Sequence, residues 1–338
     1  MERMNILLSF DDNYMLPARV MMRSLARFHS NINLYILHGG LKAENLGILK
    51  SDAESYGWIF NAVTVPVEID KKLDEAPIEY HYTKAMYYRL LSPWIIEATD
   101  KILYLDVDTL VRGDLKALYC TEGNGNLLAA VRDFDDNAYY RNALNLTNNR
   151  YFNSGVQLIF LNEIRTFFSF DGLLQNIFSI IQNYQLKLPD QDILNIIYDG
   201  KIFSLSKIFN YIATDRITYK LKHLHELKEA RIVHFVRCDK PWNRDYCLFY
   251  IFEYYRVLRI FLSKKDRVLY WITKPYYVFK VLFSSSIINS PQPDTQHLPI
   301  PRATTAACDV IPPRTVNIPL ASFIPWISSG EVSNLTNN

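Results

Sequence analysis

Glycine is scarce in this chain, 11 residues in 338, and it forms neither a GxGxxG nor a GxxxxGKS/T run. The Gly-rich dinucleotide cradle and the P-loop are thereby excluded, so any bound phosphate has to be held by other groups. The four cysteines, Cys120, Cys238, Cys247 and Cys308, contain no CxxC pair, and no secretory signal precedes the first apolar run. A reducing cytoplasm is the expected compartment. No uninterrupted apolar run reaches the about 18 residues of a conventional membrane span, while attachment at a surface stays open. An excess of one charge is missing as well. With 37 Lys and Arg against 35 Asp and Glu the formal net charge is +2, which argues against a dedicated nucleic-acid binder.

What is present is the composition of a packed protein. Hydrophobic residues make up 49% and charged residues 21%, enough to bury a sizeable core and exclude wholesale disorder. The length suits roughly two domains, or one with large additions. Up to Lys240, short apolar runs alternate with helix-period segments, which predicts the strands and crossover helices of an α/β sheet. Asn5 to Phe10, Leu34 to Leu37, Trp58 to Val65 and Lys101 to Leu105 read as strands. Leu127 to Val131, Gly155 to Leu161 and Arg231 to Phe235 follow, the last closing the core. Helices are expected from Pro17, along the stripe Leu46, Leu49, Ala53 and Tyr56, over Tyr82 to Leu91 with an end before Pro93, over Leu173 to Tyr184, and from Pro189. Three successive βα units favour a parallel sheet.

Beyond Tyr246 the character changes. Ile251 to Phe283 holds ten aromatics, seven Lys or Arg and two acidic residues, an interfacial composition. Drawn as a helix, Ile251 to Leu262 is apolar nearly all round, with a narrow polar stripe of Arg256, Arg259 and Ser263. Such a segment packs on a sheet or lies on an anionic membrane surface; its lysines interleaved with Tyr270, Trp271, Tyr276 and Tyr277 favour the membrane. From Ser284 onward lysine vanishes, and eight of the 15 prolines fall between Pro291 and Pro325, which predicts an extended or disordered tail.

The sharpest local feature is Lys101-Ile-Leu-Tyr-Leu-Asp106-Val107-Asp108. In an extended chain residues two apart face one side, so both carboxylates can converge at the carboxyl end of a buried strand, where open α/β sheets take their ligands. Two such carboxylates repel unless a divalent cation lies between them, and oxygen ligands favour Mg²⁺ or Mn²⁺, which in turn can hold a diphosphate. Two solvated loop acids are the plain alternative. An EF-hand is excluded, since Leu110 and Val111 stand where an oxygen ligand and a glycine are needed. A haloacid-dehalogenase-like phosphatase, with Asp106 as nucleophile, is the second reading, although Leu110 replaces its Thr or Val. His234 ends the Arg231 to Phe235 strand. It offers an imidazole ligand or serves as a packing histidine, and Lys240 offers a point charge to a phosphate.

Six blocks together resemble the retaining nucleotide-sugar glycosyltransferases of family 8, especially the lipopolysaccharide galactosyl- and glucosyltransferases. They are Ser9-Phe10-Asp11-Asp12-Asn13-Tyr14, the Arg89 helix, Leu103 to Asp108, Tyr151-Phe152-Asn153-Ser154-Gly155-Val156, Pro189-Asp190-Gln191-Asp192-Ile193-Leu194-Asn195, and His234-Phe235 with Lys240-Pro241-Trp242. The resemblance implies a nucleotide-diphospho-sugar transferase (GT-A) fold, with a Rossmann-like, mostly parallel sheet and a C-terminal helical extension. It implies Mn²⁺, with Mg²⁺ as the substitute, on Asp106, Asp108 and His234, bridging the diphosphate of a UDP-hexose. It further implies uridine at Asp11 and Asn13 with Tyr14 nearby, Val107 beside the metal-bound donor, and sugar contacts at Arg89, Asp133, Asn153, Asp190 and Gln191. Lys240 would meet the phosphate. For Arg89 and Asp133 taken singly, surface ion pairing is the simpler reading. Asp190 and Gln191 are the candidate catalytic residues, and same-face attack and a covalent intermediate both stay open.

The expected organisation is a catalytic domain over 1–246, a basic and aromatic membrane-associating segment over 247–283, and a Pro-rich tail over 284–338. The expected function is transfer of galactose or glucose from a UDP-sugar to a saccharide or glycolipid acceptor, a lipopolysaccharide core above all, at the inner face of the cytoplasmic membrane. Arg237 stands where the family has glycine. A sugar-nucleotide- or glycan-binding protein without turnover is therefore the non-enzymatic alternative.

Overall fold

In β1 (Met4–Ser9) every residue is buried, because both faces of the strand are covered: Leu7 enters one apolar cluster, Ile6 and Leu8 the other. The computed structural model describes residues 3–77, 83–133, 136, 138–213, 228–236, 240–242 and 250–272. After β1 come α1 (Met15–Ala26), β2 (Ile32–His38), α2 (Ala43–Ser55), β3 (Ile59–Thr64), α3 (Val67–Lys72), α4 (Ala85–Ile95), β4 (Lys101–Leu105) and β5 (Thr109–Val111). Next are α5 (Lys116–Tyr119), β6 (Leu128–Arg132), α6 (Ala138–Ala143), β7 (Phe152–Phe160), α7 (Leu161–Phe167), α8 (Phe170–Asn183) and α9 (Pro189–Ile197). Short strands β8 (Ile202–Ser204), β9 (Tyr211–Ile212) and β10 (Ile232–His234) precede helices Ile251–Leu258 and Lys264–Ile272.

The main sheet has seven strands in the order β3-β2-β1-β4-β7-β6-β8. The three βα units deliver the parallel half, β3-β2-β1-β4. β7 runs antiparallel to β4 and to β6, and β8 returns parallel to β6, so the sheet is mixed and mostly parallel. Met21, Met22 and Leu25 of α1 with Leu49 and Ala53 of α2 cover one face. Tyr87 and Leu91 of α4, Leu173 and Ile177 of α8, and Ile193 and Leu194 of α9 cover the other.

Two expectations need correction. α4 runs through Pro93 to Ile95 rather than stopping before it. Proline denies the Arg89 carbonyl its helical N–H, and the Ser92 hydroxyl takes that place at 2.8 Å. The strand around His234 lies outside the main sheet. It is the centre of a second sheet, β5-β10-β9.

The helix Ile251–Leu258 packs on this second sheet. Its Tyr254, Val257 and Leu258 are buried with Val20, Leu110, Val233 and Phe235, and Glu253 receives a forked pair from Arg112 at 2.6 and 3.1 Å. Its outward side carries Phe252, 69% exposed, and Arg256, and Arg259 and Ile260 in the turn that follows are exposed as well. One side of the helix is thus buried against the protein and the other, which includes apolar Phe252, faces outward. Among the described residues no helix is long and apolar enough to cross a membrane.

Candidate active site

β4 carries Ile102, Leu103, Tyr104 and Leu105, all fully buried, to the rim of the core, where Asp106 follows. The Asp106 N–H adds one ladder bond, to the Gly155 carbonyl at 2.8 Å. The chain then turns, and the Thr109 hydroxyl donates to the Asp106 carbonyl at 2.7 Å. β5 pairs antiparallel with β10 in a register that opposes Thr109 to His234, while the Phe235 N–H donates to the Asp108 carbonyl at 3.0 Å. Asp106 and Asp108 therefore converge through a turn and a second sheet. The alternation of an extended strand does not place them, since Val107 and Asp108 form the turn.

His234 Nε2 lies 3.2 Å from Asp108 Oδ1 and 3.6 Å from Asp106 Oδ2. One ligand atom from each of the three falls within 4.8 Å of the others. Donors at right angles around an ion with bonds of about 2.1 Å sit about 3 Å apart, so this spacing and this oxygen-rich set fit a small hard or intermediate divalent cation. Gly155 keeps the space open. A Cβ there would overlap the His234 ring and come within 2.7 Å of Asp106 Oδ2.

Arg89 is 6% exposed, so the surface-pair reading of it fails. Its guanidinium lies 3.1 Å from Asp106 Oδ1 and 3.3 Å from Asp190 Oδ2. It also donates to the Met86 and Ser154 carbonyls at 3.0 and 2.6 Å and stacks on Tyr104, centroid at 4.3 Å. One buried cation thus joins a carboxylate of the triad to the acid that opens α9. Asp190 also accepts from the Ser154 hydroxyl at 3.1 Å. Burial dominates its acidity. With the Asp106 charge it outweighs Arg89 and pushes the carboxyl up to about 6.

Burial would likewise raise Asp108, but Lys240 and His234 overcome it and hold that carboxyl far below the usual range. Lys240 donates to Asp108 Oδ2 at 2.5 Å and to the Phe235 carbonyl at 2.6 Å, so its ammonium neutralises the triad from behind. Its neighbour Trp242 meets Tyr14 edge-to-face at 6.2 Å, and Tyr14 follows the Asp11 to Asn13 turn beyond β1. That turn is fixed by the Asn13 N–H donating to Asp11 Oδ1 at 3.0 Å.

The expected sugar contacts form one network. Asp133 Oδ2 accepts from Asn153 Nδ2 at 3.0 Å and from Gln191 Nε2 at 3.1 Å. Gln191 Oε1 accepts from the Ser154 N–H and from Asn153 Nδ2, both at 3.0 Å. Asp133 is therefore tied into the site as well. Arg237 lies outside the described residues.

Three features were not foreseen. Asn210 meets His234 Nδ1 at 3.1 Å. Ser154 serves Arg89, Asp190 and Gln191 through three different atoms. Asp192, fully buried, accepts from the Tyr140 and Tyr151 hydroxyls and from the Lys187 and Leu188 N–H groups, which anchors the start of α9. The two blocks containing Ser154 and Asp192 were visible in the sequence, their partners were not, and Asn210 stands in no motif.

Comparison with known proteins agrees with this geometry. A Haemophilus influenzae putative glycosyltransferase is 32% identical over 251 residues, covering 72% of this chain and 74% of its own. The lipopolysaccharide 1,2-glucosyltransferase of Escherichia coli K12 is 26% identical over 269 residues, 76% of this chain and 77% of that one. Glycosyltransferase GlyF of Streptococcus pneumoniae serotype 4 is 27% identical over 85% of this chain, which spans 65% of GlyF. The crystal structure of the galactosyltransferase LgtC with donor and acceptor sugar analogs superposes with a TM-score of 0.67 at 24% identity, covering 78% of this chain and 99% of LgtC. The fold is therefore the GT-A type. The family model described as "Glycosyl transferase family 8" matches residues 5–246, and the chain belongs to that family.

Proposed function

We propose that the protein transfers a hexose, galactose or glucose, from a UDP-sugar to a saccharide acceptor of the lipopolysaccharide-core type, with retention, and that Asp106, Asp108 and His234 hold Mn²⁺ or Mg²⁺. The meeting of those three side chains, delivered by the end of β4 and by β10, carries the reading. The relative named lipopolysaccharide 1,2-glucosyltransferase supports the acceptor class. The phosphatase reading loses its footing with the family match over residues 5–246. A cation held by the triad would stabilise the charge that develops on the departing nucleotide diphosphate.

The other tasks fall to the chain's own groups. Asp11, Asn13 and Tyr14 follow the carboxyl end of β1, where open α/β sheets bind ligands, and are assigned to uridine, with Val107 lining the donor beside the triad. Asp133, Asn153 and Gln191 present a pre-set hydrogen-bonding surface to the hexose, and Arg89 orients Asp190 toward it. Asp190 is anionic above about pH 6 and placed to stabilise positive character on the sugar ring. Both lone pairs of Gln191 Oε1 are engaged by Ser154 and Asn153, which supports same-face attack by the acceptor over attack by Gln191. Lys240 tempers the negative charge of the triad from behind. The outward Phe252, Arg256, Arg259 and Ile260 are assigned to an anionic membrane surface.

The test is release of UDP from UDP-galactose and UDP-glucose by chelator-treated protein, with and without Mn²⁺ or Mg²⁺. Turnover confined to the cation-supplied samples is expected. Tight UDP binding with no turnover of either donor on any acceptor would refute catalysis and leave a binding protein.

A further inference from the structure

We infer that Asn210 is a positioning residue that sets the tautomer of His234 and thereby aims its Nε2 lone pair at the cation site; this rests on the metal reading of the triad given above. Side-chain amides are ambiguous in isolation, but here a backbone group decides their orientation. The Gly155 N–H can only donate, and it points at one end of the Asn153 amide at 3.0 Å, so that end is the oxygen. The same oxygen faces the Asn210 amide at 2.7 Å, so Asn210 presents its NH₂ there. Its own oxygen is then left for His234 Nδ1, 3.1 Å away. An amide oxygen accepts only. Nδ1 must therefore carry a proton, and in the neutral ring Nε2, 3.2 Å from Asp108, is the nitrogen with the free lone pair.

Asn210 is 3% exposed and His234 4%, so bulk solvent has little access to this pair. The result is an ordered relay: Gly155 N–H to Asn153, Asn210 to Asn153, His234 to Asn210. Free imidazole in water prefers the opposite tautomer, with the proton on Nε2, which would turn an N–H toward two carboxylates and block coordination. A ligating histidine held through its other nitrogen is the general device for avoiding this. What is specific here is that the hold comes from a neutral amide that also braces Asn153, linking the metal ligand to the sugar-contact network through a single side chain.

Long-range proton–nitrogen NMR of the full-length, metal-free protein at pH 8, with the His234 signals assigned by loss in His234→Gln, should show the proton on Nδ1. Calorimetric titration with Mn²⁺ should give about 10–100-fold weaker binding for Asn210→Leu, which removes both bonds. Asn210→Asp keeps an acceptor for Nδ1 but no donor for Asn153; it should bind Mn²⁺ within about threefold of the unmodified protein while raising KM for the UDP-hexose. A merely structural role would not separate those two readouts. A proton on Nε2 in the metal-free protein, or unchanged Mn²⁺ affinity in a folded Asn210→Leu, overturns the inference. Should Asn210→Leu fail to fold, the NMR result on the unmodified chain decides. Absence of any Mn²⁺ binding by the unmodified protein overturns the metal reading itself.

Discussion

Replacing Arg89 by methionine keeps the length and apolar stem of the side chain and removes its charge. The guanidinium serves two carboxylates, Asp106 at 3.1 Å and Asp190 at 3.3 Å, and two carbonyls, all at a position 6% exposed. Removing one partner of a buried ion pair costs about 3–5 kcal/mol, and with two acids left behind the upper end applies. For a protein of this size that corresponds to a fall of about 4–7 °C in Tm. The loss also has a pH signature. Folded Asp190 keeps its proton up to about 6, whereas an unfolded aspartate releases it near about 3.9. Between those values folding takes up a proton, so this group's contribution to stability declines as pH rises through the window. Without Arg89 the folded value climbs further, at about 1.4 kcal/mol per unit, and the window widens upward. Urea unfolding followed by tryptophan fluorescence at pH 5 and pH 8 should therefore show a larger loss for Arg89→Met at pH 8. A loss below about 1 kcal/mol, or one equal at both pH values, would refute the reasoning.

Gly155→Ala should cost no more than about 3 kcal/mol in urea unfolding yet abolish measurable Mn²⁺ binding in calorimetry, because the new methyl group takes the space of the His234 ring. Asp192→Leu strands two tyrosine hydroxyls and two N–H groups; a loss of at least about 3 kcal/mol in urea unfolding is expected, with a fall in kcat as the start of α9 loosens. Glutamate at both Phe252 and Ile260, 69% and 52% exposed, should leave turnover unchanged and reduce co-sedimentation with phosphatidylglycerol vesicles; equal sedimentation would remove that face from the membrane contact.

Much of the fold was legible because its signals are local. β1, β4 and α9 are each announced by a few adjacent residues, and the parallel half of the sheet follows from three βα units. The helix through Pro93 was missed because its repair depends on one rotamer of Ser92, which no periodicity records. The membership of β10 in a second sheet depends on its pairing with β5, far away in the chain. The site divides the same way. Asp106, Asp108 and His234 stand out as motif residues, but the burial of Arg89 and the part of Asn210 exist only once β7, β9 and α9 meet. A single arginine or asparagine carries no mark of which carboxylate or ring it will face.

Asp106, leaving the larger of the two sheets, faces His234 on the smaller. Lys240 and Asp108, which meet there, are 132 positions apart in the chain. An ion clasped at that seam would act as a rivet across a very long loop, and by mass action a hundredfold excess over its dissociation constant would add about 2.7 kcal/mol of resistance to unfolding. Melting temperature then becomes a gauge of ion occupancy, usable to rank divalent metals before any sugar donor or acceptor has been identified.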